Sequence, residues 1–341
     1  MYVSKRDPFI DNARFILVVL VVFGHLISPL KEENELIYLT NNYLASFRMP
    51  ALILLTGYFA KSFYKEGYIE KITRKLFFPF LFFQIFYAYL NYLLYDYETF
   101  SIHLLQPYMG LWFLLSLYYW NLLLFIFSKL KHPIIISLVL GVGIGCVDDP
   151  GQNFSILRTF VFFPFFLLGF YAQKVHLDLF KKQFMKIVSL VSIIISITML
   201  HFYSLSEARG MLLGKNSYSS LNFSDIEGMG VRIIFYIIML LGILAFLPWV
   251  PKKRTLFTRY GQSTAYIYLL HIACVKLIYT NHWISQYEGW KVLLLFVIAL
   301  ILSVSLCSKP MIAIFKPVVE GKFSIKPSLL VLLRRVKYGS I

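Results

Sequence analysis

Charge is what this sequence has least of. Only 15% of its 341 residues are Asp, Glu, Lys or Arg, whereas a soluble domain carries about a quarter. With 59% hydrophobic residues and a mean hydropathy of +0.70, the chain reads as an integral membrane protein. Acidic residues are scarcer still, 17 against 33 Lys and Arg, for a formal charge of +16. That excess does not mark a nucleic-acid partner, because the basic residues fall in alternate loops and form no patch interleaved with aromatics. Cysteine is nearly missing: Cys146, Cys274 and Cys307 lie in or beside apolar runs. Their spacing implies neither a disulfide framework nor a metal site, and they read as small buried hydrophobes. A small-x-small cleavage site is lacking after the first apolar run, which follows Lys5 and Arg6, so that run reads as a retained helix. Long polar stretches are lacking too. The largest, 204–230, has about 27 residues, below the size of a self-supporting core, so an active site must lie among the helices.

Hydrocarbon and aromatic side chains are abundant, with 33 Phe and 24 Tyr. Apolar runs suited to a bilayer recur at 13–30, 43–63, 76–95, 110–128, 133–147, 156–173, 186–203, 231–250, 264–281 and 290–315. The run 133–147 is the shortest, cut off by "GVGIG" and "DDPG". Loop charges alternate with these runs. Lys5 and Arg6, Lys65 to Lys75, Lys129 and Lys131, Lys174 to Lys186, Lys252 to Arg259 and the tail from Lys309 fall on one side. "KEENE" at 31–35, "DYE" at 96–98, "DD" at 148–149, the 204–230 loop and Glu288 fall on the other. Cationic loops stay cytoplasmic. The expected fold is therefore an all-α bundle of about ten transmembrane helices with both termini cytoplasmic. It comprises a membrane domain, 1–320, and a basic cytoplasmic tail, 321–341, in which 328–338 reads as an amphipathic surface segment or a disordered end.

Two ionisable residues interrupt the first run, "ARFILVVLVVFGHLISPL". Eleven residues rotate an α-helix by roughly 1100°, close to three turns, and advance it about 16 Å, so Arg14 and His25 share one face. Arg14 reads as an interfacial anchor or as a ligand; His25, beyond the midplane, faces a bundle interior or wet cavity. A cation and a base on one stripe suit a substrate with an anionic end and a distant reacting end, and acyl-coenzyme A has that form. Lys71, Arg74 and Lys75 cluster where they either hold such phosphates or simply obey the positive-inside trend. Trp112 belongs to an aromatic belt or to a pocket wall, and His271 to a pocket or to local structure. Arg48 and Arg158 sit on the wrong side for cations, which suggests either carboxylate partners or an anionic or hydroxyl-rich glycan. Gly141 and Gly145 have the spacing of a close helix contact. "MPALILLTGYFAK" (49–61) and "FPFFLLGFYAQK" (163–174) echo one another, through duplication or shared helix-end chemistry.

These residues carry a resemblance. "DNARFILVVLVVFGH" holds an arginine, ten residues and a histidine, as the first helix does in the membrane-bound acyltransferase-3 family. Its opening is most similar to the fucose 4-O-acetylase-like branch. "FRMPALILLTGYF", "KITRKLFFPF", "LWFLLSL", "FPFFLLGFYAQK" and "STAYIYLLH" follow in order, so the likeness spans nearly the whole chain. It implies a multi-pass protein of the bacterial cytoplasmic membrane that moves an acetyl group from acetyl-CoA to a hydroxyl of a cell-surface carbohydrate. It also implies Arg14 and His25 at one reactive centre, with glycan-synthesis machinery as a partner. Lys71 stands where the family often has one of a pair of arginines.

The expected chemistry is then acyl transfer, with His25 as general base and Arg14, Lys71, Arg74 and Lys75 gripping the donor. Arg48, Trp112, Arg158 and His271 are the candidates for the acceptor side. Two rivals use the same residues differently: a transporter or flippase of a lipid-linked saccharide, and a scaffold that would tolerate replacement of both ionisable groups.

Overall fold

Every one of the ten apolar runs contains a helix in the computed structural model, which describes residues 7–95, 101–147, 153–202, 205–280 and 288–322. Local chemistry sets their starts. Helix α1, Pro8–Leu26, begins where the Asp7 carboxylate accepts the Phe9 amide at 3.0 Å and Pro8 fills a position that needs no N–H donor. It stops before a 3₁₀ turn at Ser28–Glu32 that contains Pro29. Helix α2, Glu35–Tyr58, is capped by Asn34, whose side chain accepts from the Ile37 amide. A short α3, Tyr68–Ile72, passes through a π-helical turn, Thr73–Phe77, into α4, Phe78–Leu94. Pro79 cannot donate to the Lys75 carbonyl, and the ladder widens there.

The chain continues with α5 (Leu111–Phe127), α6 (Pro133–Gly143), α7 (Ile156–Tyr171), the short α8 (Lys174–Leu179) and α9 (Phe184–Phe202). The 204–230 segment forms α10 (Leu205–Leu212) and a 3₁₀ turn at Ser219–Leu221. A Ser224–Glu227 capping box then starts α11, Asp225–Phe246. The last helices are α12 (Thr264–Tyr279), α13 (Gly289–Leu306) and α14 (Lys309–Val319).

Among the described residues, seven helical stretches are long and apolar enough to cross a membrane, with α5 and the α6 stretch to Cys146 apolar but shorter. Two expectations change. The run 290–315 is two helices: Ser308 adopts an extended conformation and Pro310 lacks the donor that would continue the ladder. The run 133–147 is helical only to Gly143 and finishes as a 3₁₀ turn, Ile144–Cys146. The 328–338 segment and most of the tail lie outside the described residues.

Helix α1 is the axis of the bundle, packed against α2, α12, α13 and the turn at Thr258–Ser263. Outer helices present leucine, isoleucine and valine outward, as Ile187 and Ile194 on α9 and Leu293 and Ile301 on α13 do, a surface suited to lipid. The basic loops gather at one end. There Asn12, fully buried, donates to the carbonyls of Pro251 and Lys253, while its oxygen accepts from Thr255 and Thr258. Lys61 reaches the Ala172 carbonyl, and Lys181 bridges Asp7 and Asp178 at 2.6 and 2.7 Å. At the other end a loop turns back into the bundle: Gln84 of α4 donates to the carbonyls of His103 and Gln106 and accepts the Tyr108 amide. Backbone without helical bonds is tolerated among packed helices because side chains satisfy it.

Candidate active site

The motif residues of α1 face α12. Arg14 donates to the Thr264 hydroxyl at 3.0 Å, and the His25 ring lies 5.4 Å, centroid to centroid, from that of His271. Thr264 and His271 are seven residues apart, two helical turns, so one face of α12 meets both. His271 is fully buried. Its Nδ1 lies 3.0 Å from the Ile267 carbonyl, to which it donates. That hydrogen bond fixes the tautomer with the lone pair on Nε2, which has no partner among the described residues.

His25 lines a cavity of about 400 Å³ at the end opposite the basic loops. Predicted acceptor residues converge on it from three helices. Arg48 of α2 is buried, donates to the Leu20 carbonyl at 3.2 Å and lies across Gly24. Trp112 of α5 packs at a tilt against Phe162, ring centroids 5.3 Å apart, and carries the Arg158 guanidinium 4.9 Å above its ring. Tyr268, whose ring is 5.8 Å from His271, donates to the Gly110 carbonyl at 2.7 Å and anchors the inturned loop that supplies Pro107 and Met109 to the wall. Met109, with φ of 36°, and Phe154 and Ser155, both with φ of 54°, hold left-handed conformations that non-glycine residues seldom adopt, on the segments that frame this cavity.

The lining residues that were not anticipated include Lys31, Asn41, Arg209, Lys215 and Tyr268. Asn41 donates to the Gly24 carbonyl at 2.9 Å and accepts from Arg209, which also bonds the Asn42 oxygen and faces the Tyr38 ring. The signal was the one that flagged Arg48 and Arg158, cations on the wrong side of the charge pattern. Lys31, Arg209 and Lys215 carry it too, but they sit in two segments, 31–35 and 204–230, whose carboxylates masked them.

Arg14 does not share this cavity. The structure does not bring the two motif residues together: about 16 Å of helix separates them, more than an arginine side chain can span. Arg14 instead lies 5.9 Å from the Phe59 ring, and Phe59 lines a second cavity of about 880 Å³ at the basic end. Tyr58, Lys174, Lys181 and Arg254 contribute to its walls, together with Asp7, Asp11 and Asp178. Burial by itself would lower the Lys181 ammonium, but its hydrogen bonds to Asp178 and Asp7 outweigh this and hold it above its ordinary pKa. Lys71, Arg74 and Lys75 line neither cavity. All three are exposed, and Arg74 pairs with Glu70 at 2.5 Å.

A helical bundle with several stretches long and apolar enough to cross a membrane, holding a cavity that reaches one of two neighbouring histidines, belongs to the class of polytopic membrane proteins with a candidate site among their helices. The chain matches the family model described as an acyltransferase domain over residues 7–308 and belongs to the acyltransferase-3 family. It is thus a multi-pass membrane acyltransferase that transfers groups other than amino-acyl groups. No curated protein and no solved structure matches it.

Proposed function

We propose that this acyltransferase moves an acetyl group from acetyl-CoA to a hydroxyl of a cell-surface carbohydrate, in a bacterial cytoplasmic membrane that it crosses about ten times with both termini inside. The observation that carries this reading is His25 on the His25 cavity wall with its ring beside that of a buried, tautomer-fixed His271. The basic-end cavity opens to the compartment that holds acetyl-CoA. Lys174 and Arg254, which make no ion pair among the described residues, receive its phosphates. Tyr58 and Phe59 offer ring faces to its base, and Arg14, behind Phe59, adds charge along the path towards His25. Lys71, Arg74 and Lys75 attract the donor over longer range.

In the reaction, His25 takes the proton of the acceptor hydroxyl as its oxygen bonds to the thioester carbon. The tetrahedral oxyanion requires donors, and in this reading Arg48, held over Gly24 beside His25, supplies one. Collapse breaks the carbon–sulfur bond, and the departing thiolate recovers the proton from the imidazolium. His271 accepts through Nε2 and steadies the His25 ring in its protonated form. The fucose 4-O-acetylase-like assignment and a partnership with glycan-synthesis machinery belong to the same proposal and rest on the opening residues.

The test is acetyl-CoA-dependent O-acetylation of extracted surface glycans by membranes that contain the protein or its His25→Ala variant. Loss of transfer with normal insertion supports the reading. Full activity in the variant removes His25 from the chemistry, and movement of unmodified saccharide without acetyl-CoA favours the transporter.

A further inference from the structure

Besides Arg48, the His25 cavity is lined by cations drawn from four separate segments: Lys31 from the turn after α1, Arg158 from α7, Arg209 from α10 and Lys215 from the loop that follows. No carboxylate is among the described residues that line it. The described ion pairs give only Lys31 an acidic partner, Glu32, at 3.6 Å on the rim. The arginines are positioned by neutral groups instead, Arg209 by two asparagine oxygens and Arg158 by the face of Trp112. Such partners fix a guanidinium without neutralising it. Like charges gathered this way repel, and the cost is visible at Lys215: desolvation first, then Arg158, Arg209 and Lys31, push its ammonium down to about 8. Four convergent cations on the side of the bundle where the charge pattern disfavours them call for a ligand that brings negative charge.

We infer that the carbohydrate acceptor is a phosphate-bearing glycan, whose phosphate docks among Lys31, Arg158, Arg209 and Lys215 while a neighbouring sugar hydroxyl reaches His25. This deepens the proposed function and rests on it. A phosphodiester or diphosphate offers several oxygens to several forks at once, which a neutral sugar cannot do and a single carboxylate does less fully. The charge comes either from phosphodiesters of a polymer or from the diphosphate of a lipid-linked sugar.

The experiment measures binding to the full-length protein in lipid nanodiscs, with Trp fluorescence as one readout and calorimetry as another. The probes are a glycerol-phosphate oligomer, a sugar diphosphate on a short prenyl chain, a neutral maltooligosaccharide of similar length, and coenzyme A. Expected is binding of at least one phosphate probe, weakened by salt. Replacement of Arg158 and Arg209 by Gln should weaken it about tenfold or more, and replacement of Lys215 by Gln severalfold. Which of the two phosphate probes binds identifies the source. Equal binding of the neutral oligosaccharide, or phosphate binding unchanged in all these variants, overturns the inference. So does loss of coenzyme A binding in the Arg158 and Arg209 variants, which would assign these cations to the donor. The two readings fail separately: acetyl transfer to a neutral glycan without phosphate binding sinks only this inference, whereas phosphate binding without any acetyl transfer sinks only the acyl-transfer reading.

Discussion

Gly24 and Arg48 occupy one another's space: a Cβ on Gly24 would lie 1.4 Å from Nη1 of Arg48. The residue before the motif histidine is thus the seat of a buried guanidinium. Alanine is a better helix former than glycine, so Gly24→Ala favours α1 locally while it forces Arg48 away from His25. Acetyl transfer in that variant should fall about 100-fold, the scale of a misplaced catalytic group, with insertion and thermal stability near those of the parent. Transfer assays paired with detergent melting curves check both.

Gly57 and Gly169 form a reciprocal crossing between α2 and α7. A Cβ on Gly57 would lie 2.0 Å from the Phe166 carbonyl oxygen, and one on Gly169 would lie 1.8 Å from that of Leu54. The two echoing motifs meet here, each giving a glycine to its partner's backbone. Either glycine changed to Val should destabilise the bundle by about 1–3 kcal/mol or more, the range for overpacked interiors. A lowered melting temperature, with loss of Arg48 and Arg158 function together, is the expected signature, because α2 carries one arginine and α7 the other.

The two histidines should respond differently. His25→Ala is expected to lose about 10²–10⁴-fold in rate, as for a removed general base. His271→Gln should leave substrate binding intact and lower the rate less, since glutamine keeps polarity beside His25 but no imidazole lone pair. A kcat against KM comparison separates these outcomes. Equal losses in both variants would make the pair a single unit.

Affinity for an anionic acceptor should depend on pH through Lys215. Its ammonium titrates near 8, with Arg158, Arg209, Lys31 and the rim carboxylate Glu32 as charged neighbours and Tyr38 beside Arg209. Below that pH the cavity carries the extra positive charge; above it the charge is lost and binding weakens. Lys215→Arg should abolish the fall, because arginine keeps its proton. Titration of phosphate-probe affinity between pH 6.5 and about 9 reads the difference.

Asn12 offers a structural test at the other end. Its side chain ties α1 to the 251–258 loop through two donated and two accepted hydrogen bonds. Asn12→Ala leaves these buried groups unsatisfied, at about 1–3 kcal/mol each before relaxation. The expected result is a lower melting temperature and weaker acetyl-CoA use, since Arg254 of the basic-end cavity lies in that loop.

The sequence by itself determined what hydropathy and charge encode locally. Helices formed in all ten apolar runs, although one run split in two and another ended early, basic loops gathered at one end, and the arginine and histidine of α1 turned towards a common neighbour, because a helix fixes the angle between residues on its own axis. It also marked Arg48 and Arg158 as misplaced cations without saying what they meet. Only tertiary structure decided that Arg14 stays out of the cavity that His25 lines, that Lys71, Arg74 and Lys75 stay on the surface, and that Arg209 and Lys215 line the cavity beside Arg48 and Arg158. Those outcomes depend on which helices touch and how closely. That is settled by a few glycines and asparagines acting across hundreds of residues of chain, where no periodicity reaches.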